Sequence, residues 1–291
     1  MSAPVTAEPI DVLHLGRERV ICTWRIGSVI IDPGPASCAD TLEAALGGDR
    51  PEAILLTHIH LDHSGGTGEL LRRWPGTKVF VHELGARHLI DPSRLVASAG
   101  QLYGDLMQEL WGDILPVPEE AVTVLAGGET IDLEGGFEVI YTPGHAKHHV
   151  SYLHRPTMRA FVGDTGGVRI GGAAGTTIAP TPPPDIDVEL WNQSLDAIAA
   201  WEPSSLCLTH FGEYQDVDDQ IAALRSCLGD HAEMARELGP AEFADAVRAR
   251  LAREVGDENA AAYFQAAPPD DLQAGLARYW MKRAEAEGSA G

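Results

Sequence analysis

The chain is short of positive charge: 21 Lys and Arg stand against 43 Asp and Glu, a formal net charge of -22 at pH 7. So acidic a surface repels phosphates, which argues against DNA, RNA and anionic membrane as partners and leaves a small-molecule substrate as the expected one. No apolar run reaches the roughly 18 to 20 residues that span a bilayer. Met1 to Pro9 has neither the basic nor the apolar region of an export signal, so a cytoplasmic location is expected. Cysteine is scarce: Cys22, Cys38, Cys207 and Cys227 form no CxxC pair and sit in apolar contexts, which predicts buried, reduced thiols. Internal repeats and low-complexity blocks are also missing.

What is present suits a folded globule. The 291 residues are 44% hydrophobic, enough for one large domain with a modest extension. Short β-rich runs at Val12-Leu13, Val20-Ile21 and Val29-Ile31, parted by Gly16 and Gly27, predict a strand meander that ends at the turn Asp32-Pro33-Gly34-Pro35. Strands and helices then alternate, with the fully apolar Ala53 to Leu56 read as a strand buried on both faces. Residues 92–111 break this rhythm with a loosely helical spacing, open to reading as an inserted lid or as plain packing. Residues 163–184, rich in Gly, Thr and Pro, predict a long loop. Beyond Gly229 only helical periodicity remains, so the chain divides into a catalytic domain, 1–229, and a C-terminal helical extension, 230–291. The extension's stripes suit core packing, a roof over the site or a homodimer contact.

The chemistry concentrates in Thr57-His58-Ile59-His60-Leu61-Asp62-His63. Imidazole nitrogen and carboxylate oxygen are the donors borderline divalent metals prefer, and so dense a cluster can serve two ions. His145, Asp164 and His210 each directly follow an apolar strand. Polar groups placed there cost folding energy unless something pairs with them, and a divalent ion does so.

This order, HxHxDH followed by His145, Asp164 and His210, resembles the signature of the metallo-β-lactamase superfamily over residues 10 to 228. The resemblance implies an α/β fold, an αββα four-layer sandwich, with one metal on His58, His60 and His145 and a second on Asp62, His63 and His210. Asp164 would bridge them. It implies two divalent ions, Zn²⁺ first, with Fe, Mn or Co as alternatives, and a dinuclear hydrolase that uses a hydroxide held between the ions, with Asp62 relaying a proton. Esterase, lactonase and phosphotriesterase substrates fit this branch. Family β-lactamases generally lack the bridging aspartate, and flavin-linked diiron reductases usually carry Glu at the position of His60. Alternatives are a glyoxalase II-like thioesterase, a mononuclear iron persulfide dioxygenase and a non-catalytic ligand sensor.

Weaker candidates surround these. Asp32 reads equally as support for a ligand histidine or as a turn cap. If Val150 begins a strand, one of His148 and His149 faces the site. Arg169, Tyr103 and Tyr214 are candidates to reach substrate from loops, while His14, His82, His88, His154 and His231 are read as structural.

Overall fold

Alternating apolar residues build two sheets that share a core. The computed structural model describes residues 6–171, 173 and 176–289. One sheet holds β1 (Ala7–Asp11), β2 (Cys22–Ile26), β3 (Val29–Ile31), β4 (Ala53–Leu55), β5 (Lys78–His82) and β6 (Val122–Leu125), side by side in chain order. The other holds β7 (Thr130–Ile131), β8 (Phe137–Tyr141), β9 (Val150–His154), β10 (Arg159–Phe161), β11 (Ser205–Leu208) and β12 (Gly212–Tyr214), again in order. Strands β3 to β6 pair in parallel, so their connections must cross over the sheet. Helices α1 (Ala39–Ala45), α2 (Leu61–Ser64), α3 (Thr67–Arg73) and α4 (Glu83–Ile90) lie in those crossovers.

The period of two sorts the strand residues. Val29, Ile31, Ala53 and Leu55 meet Phe161 and Cys207 of the second sheet in a cluster between the sheets. Their neighbours Ile30, Ile54, Ala160 and Leu206 face the other way, beneath the helices. This is the αββα sandwich that the resemblance implies, and burial on both faces is why Ala53 to Leu56 reads as unbroken hydrophobicity. All four cysteines are buried and unpaired. No helix among the described residues is long and apolar enough to cross a membrane.

Several boundaries differ from the sequence reading. Val12-Leu13 and Val20-Ile21 lie just outside β1 and β2, because the chain turns through left-handed φ values at Leu13 and Leu15. Residues 92–111 form α5 (Ser93–Tyr103) and α6 (Met107–Trp111), and α5 buries none of its residues. After α7 (Val188–Ala199), the division expected at 229 falls inside α8 (Val217–Glu237). A lone Gly229 costs a helix only about 1 kcal/mol, and the apolar stripe continues through it from Leu228 to Ala232 and Ala235. Helices α9 (Pro240–Ala266) and α10 (Pro269–Ser289) then bury Phe243, Tyr263 and Leu276 in the same cluster as Trp191 and Leu224.

Candidate metal centre

The ligand-type side chains arrive from four strand ends. His58 follows β4, His145 follows β8, Asp164 follows β10 and His210 follows β11, while His60, Asp62 and His63 come from the start of α2. They converge as two groups: His58, His60, His145 and Asp164 in one, Asp62, His63 and His210 in the other. Asp164 touches both, with Oδ2 3.4 Å from His145 Nε2 and Oδ1 3.1 Å from His63 Nε2 and 3.5 Å from His210 Nε2. Gly163 makes the placement possible: a Cβ there would lie 2.4 Å from Thr57 Oγ1, and its φ of +45° is left-handed.

The hydrogen bonds behind the rings fix where their protons sit. His145 Nδ1 donates to the Pro180 carbonyl, His210 Nδ1 to the Val20 carbonyl and His63 Nδ1 to Asp32 Oδ2, at 2.6 to 2.9 Å. Thr57 Oγ1 gives its own proton to Asp32 Oδ2 and so accepts from His58 Nδ1. Each neutral ring therefore turns an unprotonated Nε2 inward. His58 Nε2 and His145 Nε2 both lie 3.0 Å from His60 Nδ1, which can satisfy only one of them. His63 Nε2, His210 Nε2 and Asp164 Oδ1 are buried with no hydrogen-bond partner.

Lone pairs facing one another at this range need a cation. Donors around a four-coordinate ion at about 2.1 Å sit about 3.4 Å apart, close to the spacing within both groups. The residues thus fit divalent metal ions, and the electrostatics agree. Burial and the neighbouring rings of His63, His60 and His145 push His58 well below its ordinary pKa, and burial with His145 holds His60 down to about 4. Burial would raise Asp164, but His63, His145 and His210 hold it well below the usual carboxylate range. Burial likewise opposes a charge on His63, yet Asp164, Asp62 and Asp32 raise its pKa well above the ordinary value, so the carboxylates there call for a positive charge that a divalent ion would supply in place of the ring proton.

The weaker candidates separate. Asp32 is fully buried and receives hydrogen bonds from the Thr57 amide, Thr57 Oγ1, Thr209 Oγ1 and His63 Nδ1, so it orients the His63 ring rather than merely capping a turn. His149 turns inward beneath His58, bonded to Thr142 and Thr165, whereas His148 faces the cavity above the ligands. Tyr103 reaches that cavity too. Arg169 and Tyr214 stay away from it: the guanidinium pairs with Asp216 and lies 4.0 Å over the Tyr214 ring, whose hydroxyl donates to two backbone carbonyls. Both serve the loop after β10, which needs such anchors because it has little regular structure.

Sequence reasoning passed over Thr57 and Thr209, although each directly precedes a ligand histidine and both bond Asp32. The carbonyls of Val20 and Pro180 carry no side-chain signal at all. His14, read as structural, lines the cavity and stacks on Trp111 at 5.5 Å.

That cavity, about 730 Å³, has His60, Asp62, Asp164 and His210 at its floor. Its roof comes from α5 (Leu95, Leu102), the loop Pro182 to Pro184, and Leu272 of α10. The tail is stitched to the loop beneath: Tyr263 Oη accepts from the Ile170 amide, and Thr181 Oγ1 donates to the Leu272 carbonyl. At Gly275 a Cβ would lie 2.1 Å from the Thr181 carbonyl, so α10 rests directly on the proline loop.

Residues 26–210 match the family model described as Metallo-beta-lactamase superfamily. A metallo-beta-lactamase fold-containing protein of Sulfurisphaera tokodaii is 30% identical over 213 residues, covering 72% of this chain and 77% of that protein. A hydroxyacylglutathione hydrolase of Pectobacterium carotovorum is 36% identical over 140 residues, 47% of this chain and only 41% of that enzyme. Among solved structures, an archaeal superfamily protein from Sulfolobus tokodaii superposes with a TM-score of 0.68 at 23% identity, covering 94% of this chain and 98% of its own. Layers, ligand order and family match coincide, and the chain belongs to the metallo-beta-lactamase superfamily, whose fold carries metallohydrolases.

Proposed function

We propose that the protein is a dinuclear metal-dependent hydrolase that cleaves a small, largely apolar ester-type substrate, a carboxylic ester or lactone. The observation that carries this reading is the pair of ligand groups meeting at Asp164 on the floor of an apolar-walled cavity. Divalent ions bound there would lower the pKa of a water and polarise the scissile acyl group. The chain's own residues do the rest. His58, His60 and His145 would hold one ion and Asp62, His63 and His210 the other, with Asp164 within reach of both groups. The Asp62 side chain is 20% exposed against 5% for Asp164, so it is the carboxylate open to the cavity, able to take the proton released by the attacking water and pass it to the leaving oxygen. Leu95, Leu102 and Leu272 dress the walls against water, which favours an apolar acyl or alkyl group.

A glutathione thioester is the second reading, favoured by the similarity to hydroxyacylglutathione hydrolase over about half of this chain. The lining weighs against it. Arg94 is the one Lys or Arg on the described cavity wall, against Asp62, Asp164, Asp185 and Asp271, a poor match for a peptide bearing two carboxylates. The test is a panel of chromogenic lactone, aryl ester, thioester and phosphotriester substrates with metal quantification on the same sample. Two ions per chain and preference for apolar esters is the expected result. One iron per chain with oxygen uptake and no hydrolysis would overturn the proposal in favour of a dioxygenase.

A further inference from the structure

His148 lines the cavity yet belongs to neither ligand group. Its ring centre lies 5.6 Å from that of His60 and 6.1 Å from that of His58. Nδ1 faces the Ile59 amide at 3.4 Å and accepts its hydrogen. A ring nitrogen that accepts carries no proton, so the single proton of the neutral ring sits on Nε2. A doubly protonated ring would set two donors against each other at Ile59. Among the described residues Nε2 has no hydrogen-bond partner in the protein.

The ring is also held firmly. The His149 amide donates to the Ala146 carbonyl and the Val150 amide to the Thr57 carbonyl, which ties the backbone on the far side of His148 to the strand that carries His58. From α4, Gly85 presses on the same spot: a Cβ there would lie 2.8 Å from Ile59 Cγ2 and 3.5 Å from His148 Cβ. A fixed donor with no internal partner, beside the ligands and open to the cavity, is suited to charge that appears only during a reaction.

We infer that His148 is a further catalytic residue, whose Nε2–H donates to the acyl oxygen of the substrate as that oxygen gains negative charge. The inference rests on the hydrolase reading above. His148 stands beside the His58 and His60 group while the exposed carboxylate of Asp62 belongs to the other, so acyl oxygen and leaving oxygen are served from different sides. His148 keeps its proton throughout, and no bond to it forms or breaks.

The test compares metal-loaded wild type, His148→Phe and His148→Gln. The Phe variant should keep both ions and lose about 10²- to 10³-fold in kcat, with KM changed less than about threefold, the signature of a lost donor to a developing oxyanion. The Gln variant, which offers an amide N–H at similar reach, should recover at least about tenfold of that loss. A phosphonate analogue of the best substrate should bind the Phe variant more weakly by a comparable factor. In metal-free protein carrying ¹⁵N-histidine, the resonance lost in His148→Gln should report a proton on Nε2. Wild-type kcat in the Phe variant, a proton on Nδ1, or a loss wholly matched by lost metal would each overturn the assignment. If wild type hydrolyses nothing in the panel, the hydrolase reading fails, and unchanged analogue binding in His148→Phe would remove the donor role separately.

Discussion

Asp164 and His210 stand at the floor of the cavity, buried just beyond the ends of two neighbouring strands, whereas Leu95 and Leu102 form its roof from a helix that buries no residue. The floor is shared between two sheets, so any displacement there disturbs the core as well as the ligands. The roof rests on the floor through a few contacts of α5, the proline loop and the tail. Under the proposed function the difference teaches that one cavity divides its labour: the floor sets the reaction and the roof sets which molecule meets it.

The sharpest break of that comparison is Asp164→Asn. It removes the carboxylate both groups share, so occupancy of both sites should fall together and activity by more than about 100-fold, read by metal quantification and turnover; an outer support typically costs 10- to 100-fold. Asp32→Asn comes next. It places an amide among four donors, and metal affinity should drop by about 10- to 100-fold, chiefly at the His63 group, with little change in the fold by circular dichroism.

The tail offers a stability test. Burial, with Arg250 nearby, pushes His231 down to about 3 from 6.5. The unfolded chain therefore takes up that proton below pH 6.5 while the native state refuses it until about pH 3, and stability falls as pH falls between those values. At about 1.4 kcal/mol per unit, His231→Leu should lose about 2 kcal/mol less than wild type between pH 7 and pH 5 in urea melts. Leu102→Ala should have the smallest effect. KM for apolar acyl substrates should rise about fivefold from lost burial, with metal content and kcat unchanged. Loss of metal in Leu102→Ala would erase the division between floor and roof.

The floor was legible in sequence because its parts announce themselves: ligand residues in dense spacing, each placed after an apolar strand. The roof was not, because Leu95 and Leu102 repeat as any amphipathic helix does, and nothing local tells a cavity wall from a core face. Arg169 and Tyr214 misled for the opposite reason, as polar side chains in a Gly-rich loop or on an edge strand serve anchoring and recognition alike. The alternative at 148 and 149 was settled by β9: once Val150 starts the strand, adjacent side chains take opposite sides. The extension was legible as helix, but the continuity of α8 through 229 was hidden by a single glycine that packing overrides.

The seat of α10 on the proline loop at Gly275 has an evolutionary consequence. Because the tail meets the loop backbone there, where a Cβ would lie 2.1 Å from the Thr181 carbonyl, replacements at that one position can tilt the whole helix against the cavity mouth. Substrate preference in descendants of this chain can therefore drift by small changes in a helix that donates no ligand, while the chemistry is inherited intact.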